Sequence, residues 1–194
     1  MVNKLQDHCE CPIDIHIFKF IDMHLHIFYK LGFTPNMVTT LSIIFGFLAA
    51  YQIMQNRLWL AAIFWLISYY LDCVDGKLAR KYNMVSKFGD IYDHVGDLLK
   101  FIAVLVSLFI SNKEKTTARQ WIFVSIIILL ALLQTIHLGY QESVYNKKHE
   151  SPYLNIPRKL FVNEEKANNH INYTRHFGCG TFFVSCAILI LFWR

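Results

Sequence analysis

The sequence predicts an all-α polytopic membrane helix bundle of about five to six transmembrane helices, preceded by an interfacial amphipathic helix. Three observations point there. Of the 194 residues, 55 % are hydrophobic, which makes lipid rather than water the expected solvent. Residues 31–56 and 120–141 contain no Asp, Glu, Lys or Arg, and each window is long enough to cross roughly 30 Å of hydrocarbon as a helix. Acids gather instead in LDCVDGKLARKYNMVSKFGDIYDHVGDLLK, residues 71–100. Their neighbouring apolar runs, 58–71 and 101–112, become full spans only if the acidic stretches are helical and face protein.

One domain, residues 1–194, is expected. Residues 13–30 (IDIHIFKFIDMHLHIFYK) set Phe18, Ile21, Leu25 and Phe28 on one helical face and Lys19, Asp22, His26 and Lys30 on another. This is the pattern of a helix lying on the membrane. Its three histidines read as polar cover at headgroup level. Cys9 and Cys11, near His8, offer too few ligands to argue for structural zinc. Five cysteines without paired spacing argue against a disulfide framework. No basic region followed by an apolar run and a cleavage site opens the chain, so no cleavable signal is expected.

The core helices occupy residues 34–141. Thr34-Pro35-Asn36 reads as a helix start, with Thr34 capping and Pro35 at the first helical position, where its missing donor costs nothing. A turn at Gln55-Asn56-Arg57 leads into the second span, which ends in Asp72 to Arg80. A polar link, 81–87, precedes the third. The short basic loop 112–119 leads into a fourth span that ends near Gln141. Residues 142–176 are polar, contain Pro152 and Pro157, and read as a cytosolic loop or surface helix rather than a sixth span. Residues 177–193 form the last span. The triplet Asn172-Tyr173-Thr174 then lies on the cytosolic side, so its match to a glycosylation acceptor is coincidental. His137, Tyr140 and the Gly178-x-Gly180 pair read as packing features.

Charge placement orients the chain. With a cytosolic N-terminus that side carries Lys4, Lys19, Lys30, Lys77, Arg80, Lys81, Lys87, Lys147, Lys148, Arg158, Lys159, Lys166 and Arg175, thirteen in all. The opposite side carries Arg57, Lys113, Lys115, Arg119 and Arg194. The excess of basic residues favours this orientation and sets the acidic stretch at the cytosolic face.

Asp72, Asp75, Gly76, Ala79 and Arg80 recur at i, i+3, i+4, i+7 and i+8, along one side of a helix. Gly89, Asp93 and Asp97 recur at i, i+4 and i+8, also on one side. A charge at mid-membrane costs on the order of 3 kcal/mol, so four acids need neutralising. Hard cations such as Mg²⁺ or Mn²⁺ prefer carboxylate oxygens and are commonly shared with phosphates. Arg80 suits a phosphate, and Gly76 and Gly89 expose backbone to a close ligand. The residues alone thus describe a metal-dependent phosphate site at the edge of the bilayer. The competing reading is an ion or proton pathway in which the acids pair with Arg80 and Lys100. Lys100 shares the face of Asp93 and Asp97 and suits either a phosphate or a salt bridge. His94 is turned about 100° from Asp93 and reads as packing or support. Cys73 reads as a small neighbour.

The full pattern, D72-CV-D75-G76-KL-A79-R80-(eight residues)-G89-DIY-D93-HVG-D97, resembles the signature of the CDP-alcohol phosphatidyltransferase family, D-x2-D-G-x2-A-R-x8-G-x3-D-x3-D. At roughly one chance in twenty per position, eight fixed positions coincide about once in ten billion. The resemblance covers about residues 31–140, including GFTPNMVT before the first span. It implies an enzyme that cleaves a CDP-linked donor, transfers the retained phosphoryl unit to an alcohol and releases CMP. It further implies two metal ions held by Asp72, Asp75, Asp93 and Asp97, with Asp97 also the general base. Asn36, Gly76, Arg80 and Ser86 would contact the CDP moiety. Two substrate pairings stay open: CDP-ethanolamine or CDP-choline with diacylglycerol, or CDP-diacylglycerol with a small alcohol. The Asp-His-x-x-Asp form resembles that of choline- and ethanolamine-phosphotransferases. A homodimer is implied, and no nucleic-acid partner; the competing class is a membrane transporter or ion pathway, or an inactive family member, with the acidic cluster serving ion binding only. Family members usually have six spans; five are counted here, which bears on the later helices and hence on the acceptor.

Overall fold

The computed structural model describes residues 9–111, 118–144, 155–162 and 167–193. The eight α-helices among them are α1 (Pro12–Lys30), α2 (Pro35–Met54), α3 (Leu58–Lys81), α4 (Lys87–Ser111), α5 (Ala118–Val144), α6 (Asn155–Phe161), α7 (Ala167–Thr174) and α8 (Cys179–Leu191). Among the described residues, five stretches are long and apolar enough to cross a membrane: α2, α3, α4, α5 and the segment Ala167–Leu191. Thr34 caps α2 as expected, accepting from the Met37 amide at 3.3 Å. Asn56 takes φ 60° in the turn before α3, and Asn83 takes φ 56° in the link before α4, a region that asparagine tolerates better than most side chains.

The α2 helix packs along both α3 and α4 and so holds the two acid-bearing helices together. Ser42 and Ser68 lock α2 to α3 deep in the bundle, each donating to the other's backbone carbonyl at 2.8–2.9 Å. The main core joins Ala49, Ile53, Trp65, Tyr69 and Leu108 to Phe182, Phe183 and Ile190 of α8. Trp65 and Tyr69 both stack on Phe183 at 4.7 Å.

The amphipathic expectation for α1 holds. Ile21 and Leu25 are wholly buried against Val38, Leu71, Val74 and Leu78, while Lys19, His26 and Lys30 are exposed. Two details differ from a helix resting loosely on the membrane. Asp22 meets Lys77 of α3 at 2.6 Å, and His24 bonds the Tyr70 hydroxyl instead of serving only as headgroup cover. The α1 helix is therefore bolted to α3 through half-buried polar contacts. At its other end, a Cβ on Gly180 would stand 2.6 Å from Asp14 Oδ1 and 2.7 Å from Ile13 Cβ, so only glycine lets α8 approach this closely.

The last span also begins earlier than its composition suggests. Helical backbone starts at Ala167 inside the stretch expected to be loop or surface helix, passes through a 3-10 turn at Arg175–Phe177, and resumes at Cys179. Asn168, Asn169, His170 and Asn172 hide this helix from hydropathy, yet Ala167 and Ile171 bury against Tyr140 of α5. Tyr140 and His170 are hydrogen-bonded at 3.0 Å, in keeping with a packing role for Tyr140. His8, part of the zinc consideration, lies outside the described residues; Cys9 and Cys11 are free thiols buried in packing.

Candidate active site

The facing sides of α3 and α4 open onto a cavity of about 320 Å³. Asp72, Asp75, Gly76 and Arg80 come from α3, and Gly89, Asp93 and Asp97 from α4. Asn36 from the first turn of α2 and Ser86 from the cap of α4 complete the set. Every site residue expected from the sequence thus lines one space. The helical spacing accounts for it: each stripe lies on one side of its helix, and α2, packed along both α3 and α4, brings those sides to the same space.

Carboxylate oxygens of Asp72, Asp93 and Asp97 all lie within 4.8 Å of one another. Asp75 stands beside them, its Oδ2 accepting from Thr39 Oγ1 at 2.6 Å. Lys100 is 1 % exposed and contacts Asp97 Oδ1 at 2.7 Å and Asp72 Oδ1 at 3.0 Å, while donating to Ser42 Oγ at 2.7 Å. Of the two roles open for Lys100, the ion pair is the one observed. Asp93 Oδ1 is buried with no hydrogen-bond partner, and Asp97 Oδ1 meets Lys100 without hydrogen-bonding alignment. Orphaned buried carboxylate oxygens are costly. A donor set made only of such oxygens fits a hard divalent cation, since Lys100 and Arg80 together carry two positive charges against four acids.

The other end of the cavity is built for a different contact. A Cβ on Gly89 would stand 3.0 Å from both Asn36 Oδ1 and Ser86 Oγ, so glycine lets these side chains gather at the start of α4. Ser86 Oγ accepts from the Gly89 amide at 3.0 Å and fixes that helix end. Arg80 folds back over Gly76, where a Cβ would lie 3.2 Å from its Nη1. His94 Nδ1 donates to the Asp90 carbonyl at 2.7 Å, as a supporting residue would.

Several lining residues were not anticipated. Thr39 holds Asp75, and Gln134 and Gln141 reach the cavity from α5. Glu10 and Asp14 reach it from the N-terminal segment, both buried. Gln141 Nε2 donates to Glu10 Oε2 at 3.1 Å, and the Tyr69 hydroxyl donates to Asp14. Burial pushes the Asp14 carboxyl up to about 7, the Tyr69 bond opposing this and the Glu10 charge adding to it. A signal for Asp14 existed: it continues the buried stripe 14, 18, 21, 25, 28, where an acid has no place without a partner.

A family model described as CDP-alcohol phosphatidyltransferase matches residues 33–193. The chain belongs to that family. Similar curated proteins include an archaetidylinositol phosphate synthase of Pyrococcus horikoshii, 38 % identical over 80 residues, 41 % of this chain and 42 % of that protein. A CDP-diacylglycerol--serine O-phosphatidyltransferase of Bacillus subtilis is 34 % identical over 71 residues, 37 % of this chain and 40 % of that one. A bifunctional IPC transferase and DIPP synthase of Thermococcus kodakarensis is 33 % identical over 110 residues, 55 % of this chain and 23 % of that one. The chain spans about two fifths of the length of the first two of these relatives. No solved structure matches it significantly. The acid-lined cavity falls within the stretch shared with the CDP-alcohol phosphatidyltransferase family, while Glu10 and Asp14 lie ahead of it.

Proposed function

We propose that the protein is a phospholipid-synthesis enzyme that transfers a substituted phosphate from a CDP-linked donor to an alcohol and releases CMP. The observation that carries this reading is the convergence of Asp72, Asp93 and Asp97 on a cavity also lined by Asn36, Gly76, Arg80 and Ser86. Asp72, Asp75, Asp93 and Asp97 would hold two Mg²⁺ or Mn²⁺ ions. Bound there, these supply positive charge to the pyrophosphate and its leaving group.

The chain's own groups do the rest. Arg80 offers a planar set of donors to phosphate oxygens. Asn36 and Ser86, gathered at the Gly89 notch, hold the nucleotide end. Asp97, whose side chain is 38 % exposed, is the reachable carboxylate of the trio and takes the proton of the incoming hydroxyl. Transfer breaks the donor's phosphoanhydride bond, forms the new phosphoester, and leaves CMP with the bond electrons. A cavity that opens at the cytosolic edge of the bilayer lets a soluble headgroup meet a lipid, and the active form as a homodimer belongs to the same proposal.

Detergent-purified protein with Mn²⁺ and either CDP-diacylglycerol plus small alcohols or CDP-ethanolamine plus diacylglycerol tests this, with CMP as readout. We expect CMP from one pairing, and Asp97→Asn to lose turnover by a factor of about 10² or more while still binding nucleotide. Unchanged turnover in Asp97→Asn would remove that residue from its role. Folded protein that binds cations yet releases no CMP from any pairing would favour the ion-pathway reading, which the Lys100 pairs to Asp72 and Asp97 suit.

A further inference from the structure

The family match begins at residue 33, so the carboxylate that α1 adds to the cavity lies on a part of the chain the match does not reach. Asp14 is 5 % exposed and lines the cavity. Its partners are neutral: the Tyr69 hydroxyl and the Gly180 backbone amide. No lysine or arginine among the described residues is ion-paired with it. A carboxylate held this way and turned to a cavity is complementary to a cation.

Its surroundings sharpen the chemistry. Gln134 and Gln141 line the same cavity, and each gives one of its two amide N–H groups to the protein, Gln134 to Cys179 Sγ at 3.2 Å and Gln141 to Glu10. Among the described residues, their carbonyl oxygens take part in no hydrogen bond. Asp14 and these two carbonyl oxygens thus offer acceptors around one carboxylate charge, which suits an ammonium with its three N–H groups. The position of the Asp14 end follows from α3: Tyr69 stands three residues before Asp72 and eleven before Arg80, about 5 Å and about 16 Å along the helix axis. That end thus flanks the acids on the side away from the nucleotide contacts. Among the described lining residues Arg80 is the one arginine and none is a lysine, so a phosphorylated headgroup would find little charge to pair with at the Asp14 end.

We propose that Asp14, with the carbonyl oxygens of Gln134 and Gln141, binds the ammonium group of a small amino alcohol. This rests on the transferase reading and deepens it: the N-terminal segment selects a cationic headgroup, arriving either as a free acceptor or on the CDP-linked donor.

Two arms separate those sources. One pairs CDP-diacylglycerol with ethanolamine, serine, inositol, glycerol phosphate or ethylene glycol, the uncharged near-isostere of ethanolamine. The other pairs diacylglycerol with CDP-ethanolamine or CDP-glycerol. In one arm the ammonium-bearing compound should be preferred about ten- to a hundredfold in kcat/KM, the usual cost of losing a hydrogen bond to a charged group. Asp14→Asn, which keeps the side chain's shape, should raise KM for that compound by a similar factor with CMP affinity unchanged. The proposal is overturned if the uncharged or phosphorylated alcohol is used as well or better, or if Asp14→Asn leaves KM where it was. The preference of the wild-type protein decides the matter even if the variant does not fold. CMP from an uncharged alcohol alone sinks the ammonium assignment and leaves the transferase reading standing; CMP from no pairing sinks both.

Discussion

Replacing Lys100 by methionine removes one charge from the centre of the site and little volume. Lys100 Nζ lies 2.7 Å from Asp97 and 3.0 Å from Asp72, with 1 % of the side chain exposed. At an effective dielectric of about 20, each contact is worth about 6 kcal/mol of Coulomb attraction. Much of that offsets the desolvation of three charged groups, and breaking a buried pair typically costs about 3–5 kcal/mol net. For a chain of this size that corresponds to a melting temperature lower by roughly 6–20 °C. The loss should be largest in EDTA and shrink in Mn²⁺, since a bound cation supplies the missing charge; saturation at about a thousand times Kd adds about 4 kcal/mol. Tryptophan fluorescence during thermal unfolding of detergent-purified protein, with and without Mn²⁺, measures both. A variant that melts within about 2 °C of wild type in EDTA would refute the claim that Lys100 neutralises the acids.

Gly89→Ala should weaken CMP binding by about tenfold, because the new Cβ pushes Asn36 and Ser86 apart; equilibrium binding with labelled CMP reads this. Leu25→Ala, at a wholly buried position under α1, should cost about 2–5 kcal/mol and lower the melting temperature, whereas exposed Lys19→Ala should not. The third concerns pH. Burial raises the folded-state pKa of Asp14 from the ordinary 3.8 to about 7. The unfolded chain therefore gives up this proton first, and stability present below pH 3.8 is lost as pH rises toward 7. The loss is on the order of 4 kcal/mol. Glu10 and Asp72 are the charges that add to it. Asp14→Asn lacks this loss, so its melting temperature should gain on wild type between pH 4 and pH 7 and hold level above; parallel curves would contradict the burial of an ionisable Asp14.

Much of the candidate site's geometry is local and therefore legible in the chain. A helix repeats every 3.6 residues whatever surrounds it, so Asp72, Asp75, Gly76 and Arg80 share a side, as do Gly89, Asp93 and Asp97, before any packing is known. Thr34 and Pro35 mark a helix start for the same reason. The resemblance to the family rests on those same positions, and the family match bears it out.

Packing between distant segments decided the rest. Whether Lys100 met phosphate or aspartate depended on Ser42 and Asp72 arriving from α2 and α3. That 167–174 is helical despite its asparagines depended on α5 offering Tyr140 to Ile171. Asp14 became part of the cavity because Gly180, 166 residues later, let α8 close on α1. Short-range spacing is set by backbone geometry that each residue carries with it; which faces meet is set by burial and side-chain fit across the whole chain, and no single stretch contains that information.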